Sequence, residues 1–103
     1  MVVPPAVHFA RSARRLGLAT RAAGLAVPAF RSPPRAAGAP RTIRRLAGGA
    51  VVAIRISGRS PAEIDRDMVD GVIVANQLSG EAADRVRRSL LEALTDAAGS
   101  AAA

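Results

Sequence analysis

Cysteine, tryptophan, tyrosine and lysine are all absent from this 103-residue chain, and phenylalanine occurs only at positions 9 and 30. Without cysteine there is no disulfide framework and no thiolate metal site, which removes zinc-finger and thiol-redox chemistry. The absence of tyrosine and tryptophan, with phenylalanine only at 9 and 30, argues against stacking of unpaired bases on aromatic platforms. No run of 18 apolar residues occurs, so no integral membrane segment is expected, and a cytoplasmic location follows as the expectation. Acidic residues are missing from residues 1–60 altogether. His8, the sole histidine, therefore has no carboxylate in its own half of the sequence. Neither a catalytic triad nor a histidine metal site is expected to assemble within one chain. There is no Walker loop and no dinucleotide fingerprint. The expectation is a non-enzymatic protein with no catalytic, cofactor-binding or metal residues.

What is present is arginine and alanine. All fifteen basic residues are arginine, and 24 residues are alanine. Both have GC-rich codons, so a GC-rich, bacterial coding sequence accounts for the bias. Charge is spread unevenly, with +11 over residues 1–60 and −4 over residues 61–103. That asymmetry predicts a basic arm that meets a polyanion or an acidic partner.

The structured part is expected over residues 41–99. Residues 51–57 read as a strand, with Val52, Ile54 and Ile56 on one face and Ala53, Arg55 and Ser57 on the other. Residues 41–47 are its expected hairpin partner across Gly48-Gly49. A two-residue turn there sets Ile43 opposite Ile54 and Arg44 opposite Ala53, which makes the Arg44 and Arg55 face basic. Ser60, Pro61 and Glu63 open a helix with a capping box. Ile64, Met68, Val72 and Ala75 line its apolar side, and the expected end is near Leu78, although the β-branched run Val72-Ile73-Val74 also suits a strand. Glu63, Asp67 and Asp70 form an acidic stripe, read as a solvated face. A last helix runs from Gly80 to Ala98, with Gly99 as its C-cap and residues 100–103 as a disordered tail. Ala82, Ala83, Val86, Leu90, Ala93, Leu94 and Ala97 share its apolar arc. Glu81–Arg85, Asp84–Arg88 and Arg88–Glu92 are its i,i+4 charge pairs.

Residues 1–40 are expected to be a basic arm and linker without a continuous core face, partly disordered and helical over 6–24. In that helix Arg11, Arg14, Arg15 and Arg21 fall on one half, and Phe9, Ala13, Leu16 and Ala23 on the other; Leu18 and Leu25 fall among the arginines. Such a segment suits an anionic membrane surface, nucleic acid or a transit peptide. Four prolines over residues 28–40 predict an extended linker, with Phe30 as a hydrophobic plug onto the domain.

The order strand, helix, helix resembles that of ribbon-helix-helix DNA-binding proteins, whose strand side chains enter the major groove. The resemblance would make Arg55 and Ser57 the outward strand residues. It departs from that pattern in the length of the first helix and in the strand's partner within its own chain, and no membership is drawn from it. The expected fold is α+β: a hairpin followed by two packed helices, preceded by the basic arm. From 50 onward only fifteen large aliphatic residues supply a core, thin enough that a homodimer through the helix pair is expected. The expected function is polyanion binding, nucleic acid first, through arginine–phosphate contacts from Arg11, Arg14, Arg15, Arg21, Arg44 and Arg55. The alternative is a dimerising adaptor whose basic arm grips an acidic protein.

Overall fold

A computed structural model describes residues 3–32, 42–46 and 49–102, with side chains placed for 3–32 and 49–95. The chain is mixed helix and strand, in keeping with an α+β fold. Its elements in order are α1 (Pro5–Ala22), β1 (Ala29–Arg31), β2 (Thr42–Leu46), β3 (Gly49–Ala53), α2 (Pro61–Ala75) and α3 (Gly80–Ala102).

The first helix departs most from expectation. It is no loose arm: Phe9, Ser12, Leu16 and Thr20 are buried, and α1 packs against both α2 and α3. Phe9 and Leu16 belong to one hydrophobic cluster with Val52, Ile54, Ile64, Met68, Val69, Val72, Ile73, Ala83, Leu90 and Leu94. The spacing 9, 12, 16, 20 is a single helical stripe. It looks too polar for a core because two members are Ser12 and Thr20. Thr20 solves its own burial by donating its hydroxyl to the Leu16 carbonyl, 2.7 Å away. The division expected at residue 40 is therefore not a division of the core. Pro5 starts α1 where a missing N–H costs nothing. Gly24, at φ 73°, ends it: the Gly24 N–H bonds the Arg21 carbonyl and the Leu25 N–H the Thr20 carbonyl, each at 3.0–3.1 Å. This is a Schellman cap, and only glycine enters that backbone region freely.

Within the expected linker, β1 lies parallel to β3 with Phe30 beside Val52, and Phe30 packs against the core. The rest of that linker, residues 33–40, falls outside the described residues, as do Arg41, Ala47 and Gly48 of the expected hairpin. β2 runs antiparallel to β3, and the strand order is β1-β3-β2. The register corrects the expected one by two residues: Ile43 pairs with Val52 and Arg44 with Val51. Leu46 pairs with Gly49, so Gly49 belongs to the strand and not to the connection. A shift of two keeps every side chain on its expected face. β3 also stops at Ala53, short of the expected Ser57, although the Ile54 N–H still reaches the Arg31 carbonyl at 2.9 Å.

The capping box of α2 is formed in full. The Glu63 N–H donates to Ser60 Oγ (3.3 Å) and the Ser60 N–H to Glu63 Oε1 (3.1 Å). That backbone donor, then the Ser60 hydroxyl and the Arg59 guanidinium, hold the Glu63 carboxyl below the usual carboxylate range. The contribution is present above that range and is lost as pH falls through the lowered value. Val72-Ile73-Val74 is helical, and α2 ends at Ala75 rather than near Leu78. Gln77 takes the left-handed position (φ 56°) of a second Schellman cap, with Gln77 N–H on the Val74 carbonyl and Leu78 N–H on that of Ile73. Asn76 then clasps the α1–β1 connection: its Oδ1 accepts from the Ala26 N–H (2.8 Å) and its Nδ2 donates to the Ala26 carbonyl (3.0 Å).

α2 is the central element, packed by α1, α3 and β3 together. That is why Val69, Gly71 and Ile73 are buried beside the expected Ile64, Met68 and Val72. On α3 the expected arc faces inward at Ala83, Leu90 and Leu94. The helix does not stop at Gly99 but continues to Ala102, correcting the expected C-cap and disordered tail. Glu81–Arg85, Asp84–Arg88 and Arg88–Glu92 are not among the ion pairs of the described residues; Arg87 instead bridges Asp84 and Asp70 of α2.

Gly71 marks the closest approach of α2 to the sheet. A Cβ there would lie 2.8 Å from Val52 Cγ1 and 3.2 Å from Cγ2. Val52 is fully buried and β-branched, so it has no free rotamer to yield. Alanine would gain about 1 kcal/mol in helix propensity, but overpacking of this kind costs about 1–3 kcal/mol. Gly71→Ala is therefore expected to lower the midpoint of urea unfolding. A raised midpoint would show that the helix and sheet part easily at this contact.

Candidate functional site

The outer face of α1 carries four arginines on a helix with no acidic residue. Because Phe9, Ser12, Leu16 and Thr20 turn inward, Arg11, Arg14 and Arg21 are turned out and exposed, and Arg15 is half-buried at the margin. Leu18 sits among them at 62% exposure, the most exposed large hydrophobic residue of those described, with Val7 on the same side at 41%. The expected clustering of four arginines on one half of α1 is thus matched by what the helix buries on the other.

Two arginines elsewhere are neutralised internally. Arg59 Nε lies 3.1 Å from Glu63 Oε2, and Arg59 Nη2 lies 2.8 Å from Asp67 Oδ2. Arg87 Nε lies 3.2 Å from Asp70 Oδ1, and Arg87 Nη1 lies 3.0 Å from Asp84 Oδ1. The acidic stripe on α2 is therefore occupied by guanidinium groups and is not a bare solvated face. Among the described residues no carboxylate pairs with Arg11, Arg14, Arg15 or Arg21. No group of three or more potential metal ligands occurs among the described residues, and no helix there is long and apolar enough to cross a membrane.

Arg44 and Arg55 are not part of the α1 face. Val52 and Ile54 are fully buried on the side of the sheet that meets the helices. Arg55 is exposed two residues beyond the end of β3, and Arg44 occupies the register position beside Val51 on β2. Arg31, exposed and paired in register with Ala53, joins them. Its place on the sheet could not be read from a segment that looked like linker. The six expected contact residues divide into four on α1 and two elsewhere, Arg44 on β2 and Arg55 beyond the end of β3.

His8 is the residue whose surroundings were misjudged. It is not isolated: Nε2 lies 2.9 Å from Asp65 Oδ1 on α2 and 3.3 Å from Ser12 Oγ one turn along α1. The carboxylate oxygen accepts the Nε2 proton, and Ser12 Oγ is a second, longer partner of the same nitrogen. A Ser-His-Asp relay needs hydroxyl and carboxylate on opposite ring nitrogens. Here both meet Nε2, and Ser12 is only 3% exposed. The cluster ties α1 to α2. The 57 residues between His8 and Asp65 left no local signal of it. A shallow groove of about 210 Å³ lies elsewhere, between the end of α1 and α3, lined by Ala23, Arg85, Val86, Ser89 and Leu90.

No family model, curated protein or solved structure matches this chain.

Proposed function

We propose that this protein is a non-enzymatic polyanion-binding module whose ligand is nucleic acid, held by phosphate contacts from the outer face of α1. The observation that supports it most is the contrast in pairing. Five carboxylates, Glu63, Asp65, Asp67, Asp70 and Asp84, are matched to Arg59, Arg87 and His8, whereas the four α1 arginines share a helix that carries no acidic residue and have no carboxylate partner among the described residues. An unneutralised row of guanidinium groups on one rigid helix raises the local anion concentration and offers bidentate donors to phosphate oxygens. The hairpin and helix pair of residues 41–99 serve as the scaffold that holds α1 in place. Arg31 on β1, Arg44 on β2 and Arg55 just beyond β3 are a lesser set of basic residues near the sheet.

The test is a titration of the full chain against a labelled duplex by fluorescence anisotropy across a series of salt concentrations. Four phosphate contacts give a log–log slope of about −3.6. No binding at the lowest salt would end the nucleic-acid reading. The same arginines would then face an acidic protein, as the adaptor reading holds.

A further inference from the structure

We infer that α1 seats in the major groove of B-form duplex DNA, with Leu18 against the base edges and arginines on both phosphate walls. The inference rests on the polyanion reading above and specifies its ligand. Phosphate contacts alone have no use for an aliphatic side chain, yet the centre of the arginine face is a leucine at 62% exposure. At about 100° per residue, Arg14 and Arg21 lie about 40° and 60° to one side of Leu18, and Arg11 and Arg15 about 20° and 60° to the other. Leu18 is thus flanked by Arg14 and Arg21 on one side and Arg15 on the other, with Arg11 two turns away near its own line. A helix lying in a groove between two phosphate strands meets that pattern of charge: walls of anions on either side, and a floor carrying the apolar thymine methyl.

The dimensions agree. The major groove is about 12 Å wide and admits an α-helix. Arg11 to Arg21 span about 15 Å of helix, less than half of the roughly 34 Å duplex turn. Ala10, exposed at the border of the arc, and Ala22, exposed within it, put no bulk between the helix and its ligand. The alternatives fit less well. The major groove of an A-form RNA duplex is deep and too narrow for side chains to read. A single strand would need stacking aromatics, and the chain has no tyrosine or tryptophan. A second copy of this chain offers few carboxylates, because Glu63, Asp65, Asp67, Asp70 and Asp84 already carry internal partners.

The experiment compares the full chain against a DNA duplex, an RNA duplex of the same sequence, the single DNA strand, poly-glutamate and phosphatidylserine vesicles at one low salt concentration. The DNA duplex should bind about tenfold more tightly than the RNA duplex, whose groove excludes the helix. Leu18→Gln keeps the charge and, at an exposed position, the fold. It should weaken DNA-duplex binding severalfold with an unchanged salt slope, and leave RNA-duplex binding as it was. Equal affinity for the two duplexes, or an inert Leu18→Gln, would overturn the groove seating while the polyanion reading stood. Tighter binding to poly-glutamate or to vesicles than to the DNA duplex would overturn it in favour of an acidic protein or a lipid surface. Failure to bind any of the five would remove the groove seating and the polyanion reading together.

Discussion

Leu16→Ala should destabilise the whole chain by about 2–5 kcal/mol, the usual cost of truncating a fully buried leucine. Leu16 has no solvent exposure and stands in the same cluster as Leu90 of α3 and Met68 of α2. The void would open between three helices, where no single element can move in to fill it. Leu18→Ala, two residues along the same helix, should change stability by no more than about 0.5 kcal/mol, because Leu18 faces solvent. Urea unfolding followed by circular dichroism measures both. The contrast tests whether α1 is part of the folded unit. A loss below about 1 kcal/mol for Leu16→Ala would restore the picture of residues 1–40 as an arm on a separate domain.

Replacing Arg11, Arg14, Arg15 and Arg21 together by glutamine should remove nearly all binding to duplex DNA at moderate salt and flatten the salt dependence by about 3.6 in log–log slope. Each guanidinium that neutralises a phosphate releases close to one counterion, so the four contacts should sum in the slope even if their free energies do not. The melting temperature should move little, since none of the four is paired with a carboxylate among the described residues. Arg55→Gln is the comparison. It lies off α1, beyond the end of β3, and should leave both affinity and slope nearly unchanged. If the quadruple variant kept the wild-type slope and Arg55→Gln reduced it, the sheet face with Arg31 and Arg44 would be the binding surface instead.

Local chemistry made much of this protein legible in its residues. The Ser60–Glu63 box, Pro61 at the first helical position, the inward face of α3 and the outward row of α1 arginines all follow from spacings of four residues or fewer, where side chains and backbone meet without help from the rest of the fold. Composition alone removed thiol chemistry. Tertiary structure decided the rest. Whether α1 is an arm or a core helix could not be told from a stripe containing Ser12 and Thr20, because their burial becomes affordable only once α2 and α3 supply the surrounding apolar surface. Val72-Ile73-Val74 became helix because packing by α1, α3 and β3 around α2 outweighs a weak β preference. The β2–β3 register, the pairing of β1 with β3, and the meeting of His8 with Asp65 join residues far apart in the sequence. Such contacts depend on the closure of the whole chain, and local periodicity carries no record of them.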